Sequence, residues 1–408
     1  MSNCLVAQSG GPTAAINASL AGVIDAVIRS NRYNTIYGSI NGIQGVLQHK
    51  IISLNSTFEN DADAIHTLMT SPAMYLGSCR YKLPSYTENP TQYEFIFETF
   101  RQMDIRAFFY IGGNDSMDTV AKLSEYAKSI NYDIMVVGIP KTIDNDLVET
   151  DHTPGFGSAA KFVATSLLEI AHDTYIYDIE SVTIVEIMGR DAGWLTASSA
   201  LARNDYNHAP HLIYLPERPF STFDFIDDLN KLLKSKKNVI VAVSEGIKDA
   251  DGNYIAATNA VADKFGHAQL SGTGKALEQL VKSTIGCKVR SIELNVLQRS
   301  AMHISSLTDI TEAFKLGQEA VASAEMGLTG IMLTLNREHS TNYNCSIGNV
   351  PVSEVANQAK SVPREWINPE GNDVTEDMIN YLRPLILGEP KIRFKNGIPD
   401  YLSIKHLI

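Results

Sequence analysis

Residues 107–116 read Ala-Phe-Phe-Tyr-Ile-Gly-Gly-Asn-Asp-Ser, a short apolar run that stops at a glycine pair and passes into small polar residues. The same arrangement recurs on either side of it. Upstream, Cys4–Ala7 gives way to Ser9-Gly10-Gly11; downstream, Ile134–Ile139 runs into Pro140-Lys141-Thr142-Ile143-Asp144-Asn145-Asp146. Val182–Ile187 then leads into Met188-Gly189-Arg190-Asp191-Ala192-Gly193, and Val239–Val243 into Ser244-Glu245-Gly246. Apolar runs alternating with helical patterns are what a parallel α/β sheet requires. Ligands of such sheets gather at the carboxyl ends of the strands, so these ends describe one composite site.

The intervening segments fit. Ala14–Arg29 and Ser158–His172 carry apolar residues at three- and four-residue spacing, as helices packed on a sheet do. The glycine-rich loops fall into a set before Asp151 and a set after it. This predicts two Rossmann-like lobes with largely parallel sheets facing across a cleft, in preference to one long sheet. The corresponding units are 1–155, 156–297, and a returning segment with a C-terminal extension over 298–408. From about Asn336 onward the chain is richer in Asn, Pro and charge, and its pattern assigns no element.

With 408 residues, 44% of them hydrophobic, the chain has ample material for two α/β lobes. The net charge of −12 argues against a general nucleic-acid surface, so any phosphate site is local. Four cysteines (Cys4, Cys79, Cys287, Cys345) show neither CxxC spacing nor a secreted-type framework, which predicts reduced thiols, a cytoplasmic location and no zinc site. Met1–Val6 lacks a signal-peptide pattern, and no apolar run approaches the ~18 residues of a membrane helix. The ten histidines form no HxxxH pair and no grouping with Cys at zinc-like spacing. His152 and His303 are read as packing residues, with contact to the site as the alternative. Trp194 reads as a core anchor and Asp227-Asp228 as solvated helix surface.

Gly10-Gly11 and Gly112-Gly113 each follow a strand and precede a helix, a geometry that brings backbone N–H groups and a helix N-terminus to an anion. A tight turn needing glycine for its own backbone is the alternative for either pair. Neither pair is a Walker A motif or a GxGxxG fingerprint, and Gly272-Thr273-Gly274-Lys275 reads as a loop and helix start. The strongest local signal is Lys141 to Asp146, which sets a cation and two carboxylates at one strand end. A phosphotransferase needs both: a carboxylate to take the acceptor's proton and a cation for the charge on the transferring group. Arg190 offers a second cation whose planar fork suits phosphate oxygens.

Gly-Gly-x-x-Ser at 112–116, Pro-Lys-Thr-Ile-Asp-Asn-Asp at 140–146, Met-Gly-Arg at 188–190, Glu-Gly at 245–246 and Gln-Arg at 298–299 resemble, in order and approximate spacing, the motifs of phosphofructokinases. The resemblance covers residues 3 to 335 and implies the phosphofructokinase fold, with 1–155 binding the phosphoryl donor and 156–297 the sugar phosphate. Asp144 matches the family's catalytic base, Thr142 its contact to sugar and transferring phosphate, and Asp146 the second acidic residue. Met188, Gly189 and Arg190 match substrate and transition-state contacts, Glu245 a sugar-hydroxyl contact, and Arg290 with Arg299 the arginines around the sugar phosphate. Gly10, Gly11, Arg80, Gly113 and Ser116 match donor-side positions. Magnesium, held near Asn114 and Asp146, is the implied cofactor. A homo-oligomer, dimer or tetramer, with the active site shared between subunits is implied as well.

Two positions bear on the donor. ATP-using members resemble Gly-Gly-Asp-Gly-Ser and Pro-Gly-Thr-Ile-Asp-Asn-Asp, whereas this chain has Asp115 and Lys141 in place of those glycines. A carboxylate at 115 would occupy the place of the α-phosphate of ATP and repel it, while Lys141 adds charge beside the reacting phosphoryl group. Both imply the pyrophosphate-dependent branch and the partners pyrophosphate and fructose 6-phosphate; an ATP-dependent enzyme and a silent sugar-phosphate-sensing subunit are the alternatives. The chain departs from the pattern at Asn114, where many members have Asp, at Ser181, where bacterial ATP enzymes have a neighbouring subunit's arginine, and at Val296, where a histidine lines the sugar pocket. The last two, Ser181 and Val296, leave sedoheptulose 7-phosphate open as an acceptor.

Overall fold

In the computed structural model, residues 2–30, 32–59, 61–256, 272–338 and 342–403 are described. The apolar runs become strands: β1 (Ser2–Gln8), β2 (Tyr33–Ser39), β3 (Ile51–Ser53), β4 (Ile105–Gly112), β5 (Met135–Pro140), β6 (Ser181–Ile187), β7 (Leu212–Tyr214), β8 (Asn238–Ser244), β9 (Lys288–Glu293), β10 (Ile331–Arg337) and β11 (Cys345–Pro351). They form a seven-stranded sheet in the order β11-β10-β5-β4-β1-β2-β3 and a four-stranded sheet in the order β7-β8-β6-β9. The smaller sheet is wholly parallel. In the larger one only the outermost pairs, β2 with β3 and β10 with β11, run antiparallel. Central strands such as β4 and β8 are buried along nearly their whole length, as strands covered by helices on both faces must be.

The helix over Ala14–Arg29 is observed at Ile16–Ser30, and that over Ser158–His172 at Phe156–Tyr175, longer by about a turn. The second carries the chain from the larger sheet to the smaller. Described residues of the segment without a sequence assignment form regular elements and core contacts. Strands β10 and β11 extend the larger sheet, while Val362, Ile367, Val374, Met378, Leu382 and Leu385 join the core around the Phe156–Tyr175 helix and the smaller sheet. The described residues from β10 onward therefore contact both sheets.

The returning helix Leu307–Glu325 lies against Ile16–Ser30 through two glycines. A Cβ on Gly22 would fall 2.0 Å from the Phe314 carbonyl oxygen, and one on Gly317 would fall 2.1 Å from that of Ser19. Only hydrogen fits there, so the two helix backbones touch. Trp194 is a core residue, packed against Trp366 and Tyr381. Asp228 departs from the solvated reading: its carboxylate accepts from Tyr214 Oη at 3.0 Å and Asn372 Nδ2 at 2.7 Å, tying the Thr222–Leu233 helix to the C-terminal segment. Gly272–Lys275 is the start of the Thr273–Thr284 helix, where Glu186 accepts from the backbone N–H groups of Gly272 and Gly274. Among the described residues, no helix is long and apolar enough to cross a membrane.

Candidate active site

The carboxyl ends of β1, β4 and β5 form one wall of the site, and those of β6 and β8 the other. β1 lies between β2 and β4, so the chain connections diverge there and leave a crevice above its end. Gly10 takes a positive φ of 82° in that crevice, a conformation that favours glycine. Its carbonyl accepts from Ser78 Oγ at 2.6 Å. Lys141, at the end of β5, reaches across to the same loop, its Nζ donating to the Gly11 carbonyl at 2.7 Å. A Cβ on Gly10 would stand 3.1 Å from that Nζ.

Lys141 is 2% exposed, and burial pulls its ammonium down to about 7, opposed chiefly by the neighbouring Asp144 carboxylate. Burial lifts Asp144 to about 6, reinforced by Glu245 and resisted by Lys141, Arg190 and Arg299. Burial, then Asp144, lifts Asp146 to about 7. Burial also lifts Glu245 to about 7, while the Gly189 N–H donating to its Oε1 at 3.3 Å opposes the rise. Three carboxylates and three cations thus share one desolvated space, the condition in which each perturbs the others most.

The turn carrying the carboxylates is rigid. Asp144 N donates to Thr142 Oγ1 at 3.1 Å, and Asn145 sits in the left-handed region, which asparagine tolerates. Asn145 Oδ1 accepts from Thr153 N and its Nδ2 donates to Tyr381 Oη at 2.8 Å. On the opposite wall, Met188 N donates to Gln298 Oε1 at 3.2 Å, joining two of the quoted motifs. A Cβ on Gly246 would lie 1.8 Å from the Arg190 carbonyl oxygen, so the Glu245-Gly246 turn fixes where Arg190 leaves the chain. Arg190 Nε and Arg299 Nε are buried without a hydrogen-bond partner. Arg299 also spans the gap, since its Nη1 would be 3.7 Å from a Cβ on Gly11; burial, then nearby Arg80, lowers its pKa. Two unsatisfied buried guanidinium nitrogens aimed into such a space ask for an anion.

Gly113 caps the Asn114–Ser129 helix beside the Lys141 carbonyl. Ser116 is buried in its first turn and Asp115 is exposed there, which puts a fixed negative charge at a helix end that otherwise attracts anions. Asn114, read above as a metal position, is held by two hydrogen bonds: its Nδ2 donates to the Gln358 carbonyl and its Oδ1 accepts from Asn357 N, both at 2.6 Å. Arg290 is not brought into this cleft. It lies within edge strand β9, its guanidinium on Asp173 at 2.7 Å and on Thr174 and Thr183.

His152 is buried between Asp151 and Glu312, to which its ring nitrogens are hydrogen-bonded. His303, on a short 3-10 turn, is exposed. His267, His339 and His406 lie outside the described residues. Although no His and Cys stand at zinc-like spacing in the sequence, ligand atoms of His152, Glu312 and Cys345 lie within 4.8 Å of one another, assembled from segments whose separation hides them from any spacing rule. Sequence reasoning also missed Lys360. Its Nζ donates to the carbonyls of Thr150 and Asp151 at 2.9 and 2.7 Å, and its N–H donates to the Asp146 carbonyl at 2.6 Å. No periodic signal marks it, because it lies on an irregular strap.

Comparison with known proteins agrees with this geometry. Residues 3–324 match the family described as Phosphofructokinase. A Methylococcus capsulatus protein named pyrophosphate–fructose 6-phosphate 1-phosphotransferase is 40% identical over 405 residues, 98% of this chain and 96% of that one. A Mycobacterium tuberculosis protein named ATP-dependent 6-phosphofructokinase is 30% identical over 367 residues, 88% of this chain and 96% of that one. The crystal structure of a pyrophosphate-dependent phosphofructokinase from Nitrosospira multiformis superimposes with a TM-score of 0.88 at 38% identity, covering 98% of this chain and 96% of that one.

Proposed function

Because this chain belongs to the phosphofructokinase family, we infer that its cleft transfers a phosphoryl group from inorganic pyrophosphate to the 1-hydroxyl of fructose 6-phosphate, giving fructose 1,6-bisphosphate and orthophosphate. The observation that carries the donor reading is the pair Asp115 and Lys141. Asp115 places a carboxylate in the first turn of the helix that would otherwise receive a nucleotide phosphate. Lys141 is buried, with its Nζ at the Gly10-Gly11 loop where a compact donor would rest.

Asp144 accepts the proton of the 1-hydroxyl; the freed oxygen attacks the nearer phosphorus in line, and orthophosphate departs on the far side. Burial raises the pKa of Asp144, which makes its carboxylate a stronger base than a solvated one. Lys141 and Arg190 carry the charge that develops on the equatorial oxygens, and Arg299 and Glu245 hold the sugar. The transfer is proposed to be reversible.

The crowding of carboxylates, with Asp144 raising the pKa of Asp146 and Glu245 that of Asp144 after burial, suits a hard divalent cation with oxygen ligands, and magnesium is the proposed ion. When bound it would neutralise pyrophosphate charge. Asp146 would hold it, with water in place of Asn114. The chain is proposed to work in the cytoplasm as a homo-oligomer. Tyr177 and Ile179 are exposed beside Arg290 on edge strand β9, and Lys288 stacks on Tyr177, so this face is suited to pass Arg290 to a neighbouring subunit's sugar phosphate.

The test is the reverse reaction. Purified chain given magnesium, fructose 1,6-bisphosphate and radiolabelled orthophosphate is expected to form labelled pyrophosphate. Absence of labelled pyrophosphate, with ADP-dependent ATP synthesis instead, would overturn the reading.

A further inference from the structure

Behind the cleft, on the far side of the catalytic turn, lies a second cluster that phosphoryl transfer does not use. His152 follows the turn, Glu312 lies on the Leu307–Glu325 helix, and Cys345 opens β11. The His152 ring is 2% exposed. Its Nδ1 is 2.8 Å from Asp151 Oδ1 and its Nε2 is 2.7 Å from Glu312 Oε2. Tyr343 Oη donates to the other carboxylate oxygen, Glu312 Oε1, at 2.6 Å. Arg337 fixes Asp151 from behind, with Nε at 3.1 Å and Nη2 at 3.0 Å from the same Oδ1. One nitrogen, one carboxylate oxygen and one sulfur therefore converge within 4.8 Å.

We propose that His152 Nε2, Glu312 Oε2 and Cys345 Sγ form a binding site for a borderline-soft divalent transition ion, zinc by preference, which clamps the catalytic turn to the returning segment. The donor set decides the class of ion: imidazole and thiolate favour zinc, cobalt or nickel, whereas magnesium takes oxygen ligands. Bonds of about 2.0–2.3 Å put ligands of a tetrahedral zinc about 3.5 Å apart, so the 2.7 Å His152–Glu312 pair would open and the widest separation, within 4.8 Å, would close, each by about 1 Å. Asp151 on Nδ1 supplies the carboxylate–histidine support that orients a metal-binding imidazole. Access and a fourth ligand come from the solvent groove of about 440 Å³ that Glu312, Tyr343 and Cys345 line together with Thr311 and Lys315.

Without the ion, a protonated imidazole bridging Asp151 and Glu312 satisfies the same geometry. Binding exchanges protons for metal: one leaves Nε2 and one leaves the Cys345 thiol, both to solvent, while Glu312 remains a carboxylate. The clamp joins segments far apart in sequence, because His152 and Glu312 are 160 residues distant. Its consequence is stability of the turn, not chemistry on substrate.

The experiment is a cobalt titration of chelator-stripped chain in excess magnesium, which keeps oxygen-only sites filled. The expected result is a near-ultraviolet thiolate-to-cobalt charge-transfer band saturating at one ion per chain, lost in Cys345→Ser, and a zinc-dependent rise in melting temperature lost in the same variant. Asp151→Asn is expected to weaken cobalt binding about 10–100-fold. Cys4, Cys79 and Cys287 are internal controls. No band with wild-type chain, or a band that persists in Cys345→Ser, overturns the proposal, and neither result bears on the donor reading.

Discussion

The two walls of the cleft solve different problems with different materials. The wall at β1, β4 and β5 is mostly backbone: Gly10, Gly11 and Gly113 bring peptide groups close, and a single buried Lys141 supplies charge. The wall at β6 and β8 is side chain: Arg190 and Glu245 point from turns held by glycines, and Arg299 joins them from the returning segment. A small, symmetric polyanion is recognised by closely packed N–H groups and one cation, whereas a sugar phosphate needs directional contacts that backbone alone does not give. Asp144 stands between, facing charge from both walls.

The largest effect expected is at that shared residue. Asp144→Asn keeps the shape and removes the base, and should lower kcat by about 10²–10⁴-fold with sugar-phosphate affinity nearly unchanged. Full activity would break the assignment. On the side-chain wall, Arg190→Met removes a transition-state cation and is expected to cost on the order of 100-fold in kcat/KM, mostly in kcat. On the backbone wall, Gly10→Ala adds a methyl group beside Lys141 Nζ at a positive φ. It should raise the pyrophosphate KM by about tenfold, equivalent to ~1.4 kcal/mol, and leave the fructose 6-phosphate KM unaltered. Equal changes in both constants would show that the walls are not separable.

A last effect, on stability rather than activity, separates the two sheets. His211 Nδ1 accepts from Ile240 N at 3.0 Å beneath the smaller sheet, and burial depresses its pKa to about 4. The folded pKa lies below the unfolded one, so the unfolded chain binds the proton first. Stability is complete above about 6.5 and is lost as pH falls toward 4, by up to about 3 kcal/mol. His211→Asn, which can still accept from Ile240, should flatten the melting temperature across that window; an unchanged slope would assign the acid sensitivity elsewhere.

Much of this was legible in the sequence, for a physical reason. Parallel strands buried on both faces must be short apolar runs, and a site at their ends must be small or charged, so 107–116 and 140–146 announce strand and site together. The strap beyond β11 announces nothing. Lys360 secures the catalytic turn by bonds to backbone carbonyls more than 200 residues away, and such bonds carry no period and no motif. The partners of Asn114, Asn357 and Gln358, were hidden for a related reason, since they lie on the same irregular stretch. Arg290 shows the remaining limit: a residue matched to the sugar phosphate by its motif position stands outside this chain's own cleft.

Donor choice is tested most directly by comparing initial rates of fructose 1,6-bisphosphate formation with magnesium pyrophosphate and magnesium ATP, for the wild-type chain and for an Asp115→Gly, Lys141→Gly double variant. The wild-type chain is expected to use pyrophosphate alone, and the double variant to lose most of that rate. A wild-type rate with ATP and none with pyrophosphate would contradict the roles given to Asp115 and Lys141.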